Sequence, residues 1–167
     1  MNGASRETQP DWERKLEQLL PLYGHRNWIV IADAAYPAQS RPGIETIVTG
    51  AQQIEVVAKV LGALAAAPHV RANVYLDEEL EFVAEADAAG VTRYCEQLAG
   101  LLESVNRVTL SHDHIIAKLD QTAQLFNVLI LKTTMTIPYT SVFFELGCGY
   151  WTNEAETRLR QAIAASE

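Results

Sequence analysis

The stretch "NWIVIAD" carries five consecutive apolar residues, Trp28–Ala32, without the polar alternation of a half-exposed strand. Such a run is buried on both faces, which predicts a central strand of a layered α/β sheet. Further β-branched runs at "IETIVTG", "VRANVYL", "NRVTL", "NVLILKTT" and "SVFFELG" read as strands. Between them the spacing turns helical. Trp12, Leu16, Leu19 and Leu20 define a first helix, with Asp11 as its cap and Gly24 as its stop. Ile54, Val57, Leu61 and Leu64 share one side of a second helix within residues 51–67, which Pro68 ends. Residues 92–103 form a third helix. Residues 113–125 form a fourth, capped by Ser111 with Asp113 in its first turn, and residues 153–164 close the chain with a fifth. The acidic stretch "DEELEFVAEADAAG" fits neither period. Strands that alternate with helices predict an α/β fold with a mostly parallel central sheet.

The chain's 167 residues suit one core and one domain. Its composition, 49% hydrophobic and 20% charged, is that of a globular protein. The net charge of −8, with no basic cluster, argues against nucleic acid and anionic membranes as partners. Cys95 and Cys148 lack metal-site or disulfide spacing, so a reducing, cytoplasmic setting is expected. "MNGASRETQPDWERK" has no apolar core of an export signal, and no apolar run reaches the length of a membrane span. Phosphate-binding glycine loops, a GxSxG elbow and an HExxH pair are all missing, and the glycines of "ELGCGYW" read as a turn. No cofactor is implied.

The remaining candidates are polar residues at strand ends, where open α/β sheets place their ligands. His25 precedes the first strand, as either a hydrated loop residue or an acid-base group. Asp33 follows that strand, as either a turn cap or a ligand for hydroxyls. Tyr139 follows Pro138, and is either a packed ring or a hydrogen-bond donor. In "SHDHIIAK", His112 and His114 are either solvated helix-start residues or ligand contacts. A metal held by the HDH triplet is not expected, because no further ligand stands at supporting spacing. The charge run 77–81 either lines the pocket or faces solvent, and the solvated face is the favoured reading because charge runs are usually hydrated.

In order along the chain, these residues resemble the small sugar mutarotases and pyranases of the RbsD/FucU family. The likeness lies in "GH" at Gly24 and His25, in "ADAAYPAQS" at residues 32–40, and in "TTMTIPYTSVFFELG" from Thr133 onward. Thr134 and Met135 stand where the family has a glycine and a glutamate, and Ser141 replaces an asparagine. The resemblance implies a single three-layer domain over residues 11–149, preceded by a disordered segment at residues 1–10 and followed by a helical extension at 150–167. It implies a cofactor-independent isomerase acting on a free fucose-like or ribose-like monosaccharide. His25 would be catalytic, and Asp33, His112, Tyr139 and Ser141 would bind substrate, with His114 or Lys118 as alternatives to His112. It further implies a homo-oligomer, a ring-shaped decamer with sites near subunit contacts. A non-catalytic sugar-binding or regulatory module is the alternative, motivated by Thr134, Met135 and Ser141.

Opening a cyclic sugar requires one proton to leave the anomeric hydroxyl and another to reach the ring oxygen, which histidine can mediate near neutral pH. Geometry constrains this chemistry. Fully extended, residues 25 and 33 lie about 26 Å apart at about 3.3 Å per residue. Either the chain curls at Gly24 and Ala34, or the site is shared between subunits.

Overall fold

The computed structural model describes residues 10–166. Most of the expected amino-terminal disorder falls on residues outside that range. Within it, Pro10 occupies the N-cap of α1 (Asp11–Leu19), so Asp11 is the first helical residue rather than the cap. The helices α2 (Gln53–Ala65), α3 (Val91–Leu101), α4 (His112–Thr122) and α5 (Asn153–Ala164) alternate with the strands β1 (Trp28–Ala32), β2 (Ile44–Val48), β3 (Val70–Asp77), β4 (Arg107–Leu110), β5 (Val128–Lys132) and β6 (Val142–Cys148). The strands form one sheet in the order β2-β5-β1-β6-β3-β4.

The sheet is mostly parallel, as expected. β2, β5 and β1 run together, as do β3 and β4, and β6 is antiparallel to both its neighbours. The reversal of β6 follows from its connection: only residues 133–141 separate it from β5, whereas a parallel crossover needs a dozen residues or more. All five parallel strands therefore end on one edge of the sheet, and β6 begins there.

All five residues of β1 are buried. Side chains alternate between faces along a strand, and two separate cores use the two sets. Ile29 and Ile31 pack with Leu16 of α1, Val57 of α2 and Tyr94 of α3 on one face. Trp28, Val30 and Ala32 pack with Ile115 and Leu119 of α4 on the other. An unbroken apolar strand is what a three-layer arrangement demands, and truncating one of its isoleucines to alanine would cost about 2–5 kcal/mol.

Two local expectations are corrected. The buried face of α2 is Gln53, Val56, Val57, Val60 and Leu64, whereas Ile54 and Leu61 are only half-buried. Buried Gln53 turns this face toward the polar groups beneath the sheet's carboxyl edge, so the apolar stripe alone misplaces it. Ser111 occupies the N-cap of α4 but makes no side-chain cap bond. The first amide is taken instead by Glu79, whose carboxylate oxygens each lie 3.0 Å from the His112 nitrogen. In α5, Thr152 does cap, accepting from the Ala155 amide at 3.0 Å. No residue of α5 is buried, and among the described residues no helix is long and apolar enough to cross a membrane.

Candidate functional site

A cleft of about 290 Å³ opens at the carboxyl edge of the sheet, where β1, β3 and β4 end and β6 begins. Asp33, Tyr36, His112 and Tyr139 line it. These come from three separate segments, so the fold assembles what the sequence disperses.

Asp33 leaves β1 with its carboxylate already anchored. Its Oδ1 accepts from the Ser141 hydroxyl at 3.1 Å, and its Oδ2 accepts from the Ala35 amide at 3.1 Å. The Asp33 amide in turn donates to Ser141 Oγ at 3.4 Å. Each oxygen keeps further acceptor capacity for a ligand hydroxyl. Ser141 is buried, and its hydroxyl serves Asp33. Beside it, Tyr36 is buried, and its phenol is pushed well above its usual range by burial and by the nearby Asp120, Asp77 and Asp33 carboxylates. It remains a neutral donor at physiological pH.

His112 opens α4 and reaches the cleft with its ring fixed. Nδ1 lies 3.1 and 3.0 Å from the two carboxylate oxygens of Asp77, the last residue of β3. The Asp77 side chain is completely buried. Burial pushes its carboxyl up to about 6, against the pull of His112, with Glu79 and Asp33 adding to the rise. Tyr139 meets the His112 ring edge-on, with centroids 5.8 Å apart. Tyr139 and Arg26 are the non-glycine residues with positive φ among those described, at 59° and 78°. Backbone held in that region costs of order 1–3 kcal/mol and tends to concentrate at functional sites.

Below the cleft, Gln53 holds the loop between β5 and β6. Its Nε2 donates to the carbonyls of Ile31 at 3.2 Å and Thr140 at 2.8 Å, and its Oε1 accepts from Thr133 at 2.6 Å. Tyr94 donates to the Thr140 carbonyl at 2.7 Å. The two residues that follow Thr133 are held by the surrounding structure. Thr134 bonds the Ala51 carbonyl at 3.2 Å, and Met135 packs against the core while its own carbonyl accepts from Ala34 at 2.8 Å.

The sequence-predicted residues thus divide. Asp33, His112 and Tyr139 line one cleft, with Ser141 directly behind Asp33. His114 is exposed, and the Lys118 ammonium sits over the Tyr75 ring at 5.4 Å, outside the cleft lining. His25 is elsewhere. It lines a separate cleft of about 560 Å³ at the opposite edge of the sheet, with Arg26, Arg71 and the start of α5. The chain does not curl to bring His25 to Asp33, because β1 runs straight and fully buried between them.

The expectation of a solvated face for residues 77–81 is corrected. Asp77 and Leu80 are buried, and Glu79 caps α4. Asp77 carries the signal that singled out Asp33, a carboxylate directly after a strand, but two following glutamates disguise it as a charge run. Gln53 is the other omission. Among the described residues there is no group of three or more side chains that could hold a metal ion.

A family model described as the RbsD / FucU transport protein family matches residues 8–149. The chain belongs to that family. Three solved structures share the RbsD/FucU fold with it. RbsD of Bacillus subtilis, complexed with D-ribose, is 23% identical with a TM-score of 0.55, covering 80% of this chain and 91% of its own. FucU of Bifidobacterium longum is 18% identical with a TM-score of 0.56, covering 80% and 94%. The fucose mutarotase of Streptococcus pneumoniae, in complex with L-fucose, is 17% identical with a TM-score of 0.51, covering 84% and 97%. No curated protein sequence matches the chain. The family match ends before α5, so the helix flanking the His25 cleft lies outside it.

Proposed function

We propose that this protein is a mutarotase or pyranase that interconverts anomers or ring forms of a free fucose-like or ribose-like monosaccharide. The observation that carries the reading is the single cleft uniting Asp33, His112 and Tyr139 from β1, α4 and the segment before β6. The D-ribose and L-fucose held by structural relatives support a monosaccharide of that class as the substrate.

In this reading Asp33 and Tyr139 bind sugar hydroxyls, Ser141 keeps Asp33 in place, and Tyr36 offers a neutral donor and an apolar ring face. His25 supplies the proton for the ring oxygen, and it comes from a second copy of the chain. About 26 Å of extended chain separates it from Asp33 within one copy, so the working enzyme is a homo-oligomer with sites at subunit contacts, a decamer if it follows the family resemblance. A monomer by light scattering at micromolar concentration would count against this arrangement.

Saturation-transfer NMR between α and β anomers tests the reading. Faster exchange with the protein than without it, for at least one monosaccharide of a broad panel, is the expected result; background rates across the whole panel would overturn it. One observation favours a second reading, a non-catalytic sugar-binding module: Ser141 spends its hydroxyl on Asp33, where the family asparagine has a longer reach. Calorimetric sugar binding without accelerated exchange would select that alternative.

A further inference from the structure

Ring opening needs a base as well as an acid, and the cleft contains an imidazole in an arrangement suited to that role. His112 is gripped at two points, by the last residue of β3 and by the turn that follows it. Its backbone amide donates to Glu79, and its Nδ1 faces both oxygens of Asp77 at 3.0–3.1 Å. An ionised carboxylate has no proton to give. The bond therefore requires the proton on Nδ1 and leaves the lone pair on Nε2. Among the described residues nothing hydrogen-bonds to Nε2, while the His112 side chain lines the cleft beside Asp33 and Tyr139. The edge-on contact with Tyr139 limits ring rotation about the remaining freedom.

We infer that His112 Nε2 is the base that removes the anomeric proton, and that Asp77 is its positioning residue, fixing the tautomer and stabilising the imidazolium that forms. The inference rests on the mutarotase reading and gives His112 a role beyond binding. The step balances. Nε2 takes the proton of the anomeric hydroxyl, the electrons of that O–H bond form the C1 carbonyl, and the bond from C1 to the ring oxygen breaks. The ring oxygen takes a proton from the acid, His25 of a second copy. Closure on the other face of the carbonyl returns both protons, so no cofactor or co-reactant is consumed.

Asp77 is suited to this second role because it is shut away from substrate. Its side chain has no exposed surface, so it acts through His112 alone. The charged and titratable groups around it are His112 from α4, Glu79 from its own turn, Asp33 from the end of β1, and Tyr36 and Tyr94, whose phenols feel its charge. The neighbouring acids raise the cost of its charge, and the Nδ1–H of His112 is the donor that offsets it.

The test combines side-chain nitrogen NMR with exchange kinetics on the intact oligomer. In the wild type, neutral His112 should carry its proton on Nδ1; in Asp77→Asn the population should move toward Nε2–H. Exchange should fall roughly 10²-fold or more in His112→Ala and by about 10-fold or more in Asp77→Asn. The loss in Asp77→Asn should fall on kcat, with KM changed by less than about threefold. The double variant should be no slower than His112→Ala, because the two groups act as one unit. Added imidazole should restore part of the His112→Ala rate but none of the Asp77→Asn rate, a readout that a merely structural role would not move. Should Asp77→Asn fail to fold, Asp77→Ser read for the same tautomer shift and kcat loss carries the same question. Wild-type exchange in His112→Ala, or additive losses in the double variant, would overturn the inference. A wild type that accelerates no sugar would sink the mutarotase reading instead. In that event an unshifted tautomer in Asp77→Asn would separately refute the pairing.

Discussion

The two ends of β1 face opposite edges of the sheet and are built in opposite ways. At the carboxyl end, Asp33 is held by Ser141 and Ala35, His112 by Asp77 and Glu79, and the loop beneath them by Gln53 and Tyr94. The Asp33 carboxylate and the His112 ring there are oriented by the protein itself. At the amino end, His25 is exposed, and its ring has no hydrogen-bond partner among the described residues. Its surroundings are an open cleft with Arg26, Arg71 and Arg160. The difference reflects topology. Strand ends in an open α/β sheet converge on one edge and build a crevice there, whereas the opposite edge gathers loops and, here, a terminal helix with no buried residue. One end looks like a finished half-site. The other carries an exposed imidazole with no hydrogen-bond partner among the described residues.

That contrast can be attacked by substitution. The largest effect is expected from His25→Ala. If the exposed imidazole is the acid, exchange should fall by about 10²–10⁴, equivalent to roughly 3–5 kcal/mol of barrier. Urea unfolding should move by no more than about 0.5 kcal/mol, because nothing in the fold leans on it. A large stability loss with unchanged exchange would reverse the assignment of the two ends.

Gln53→Leu should do the opposite. Removing its amide deletes three buried hydrogen bonds, to the Ile31 and Thr140 carbonyls and from the Thr133 hydroxyl, leaving Thr140 with Tyr94 and Thr133 with Ala32 as remaining partners, at a cost of about 2–4 kcal/mol in urea unfolding. A midpoint unchanged from wild type would show that the carboxyl end is not held in the way its hydrogen bonds suggest.

The smallest effect is a pH dependence. The folded Asp77 carboxyl is raised from its ordinary 3.8 to about 6. Its contribution to stability is therefore fully present below about pH 3.8 and is lost as pH rises through 6, since the folded state holds a proton that the unfolded chain has released. Relative to Asp77→Asn, the wild type should lose up to about 3 kcal/mol across that window and then run level above about pH 7. Parallel stability curves for the two proteins would show that the burial of Asp77 does not perturb its ionisation.

Much of this arrangement is legible in the sequence, for physical reasons that differ by element. "NWIVIAD" shows a strand buried on both faces because the sheet is covered on both, and Asn153–Ala164 shows a helix because Thr152 and the acidic first turn sit at its start. Asp33, His112 and Tyr139 are visible as strand-end and helix-start polar residues, and the structure gathers all three into one cleft. The antiparallel course of β6 is recoverable from the short link at residues 133–141, but only once connection length is weighed against strand pattern. Asp77 is concealed by its neighbours Glu78 and Glu79, since a run of three carboxylates normally reads as hydrated surface. Gln53 is concealed for another reason. A single amide at the start of an apolar helix has no periodicity of its own, and its value lies entirely in carbonyls brought to it by the tertiary fold.

In the proposed enzyme, one chain's carboxyl-edge cleft and another chain's His25 act on the same sugar. Mixing of variant subunits separates this from a site built within one copy. His25→Ala and Asp33→Asn are each expected to be nearly inactive alone. Dissociated, combined in equal amounts and reassembled, they should recover anomer exchange to about a quarter of the wild-type rate, the share of sites that draw both intact halves from different copies. Exchange that stays at the level of the separate variants after verified subunit mixing would contradict the claim.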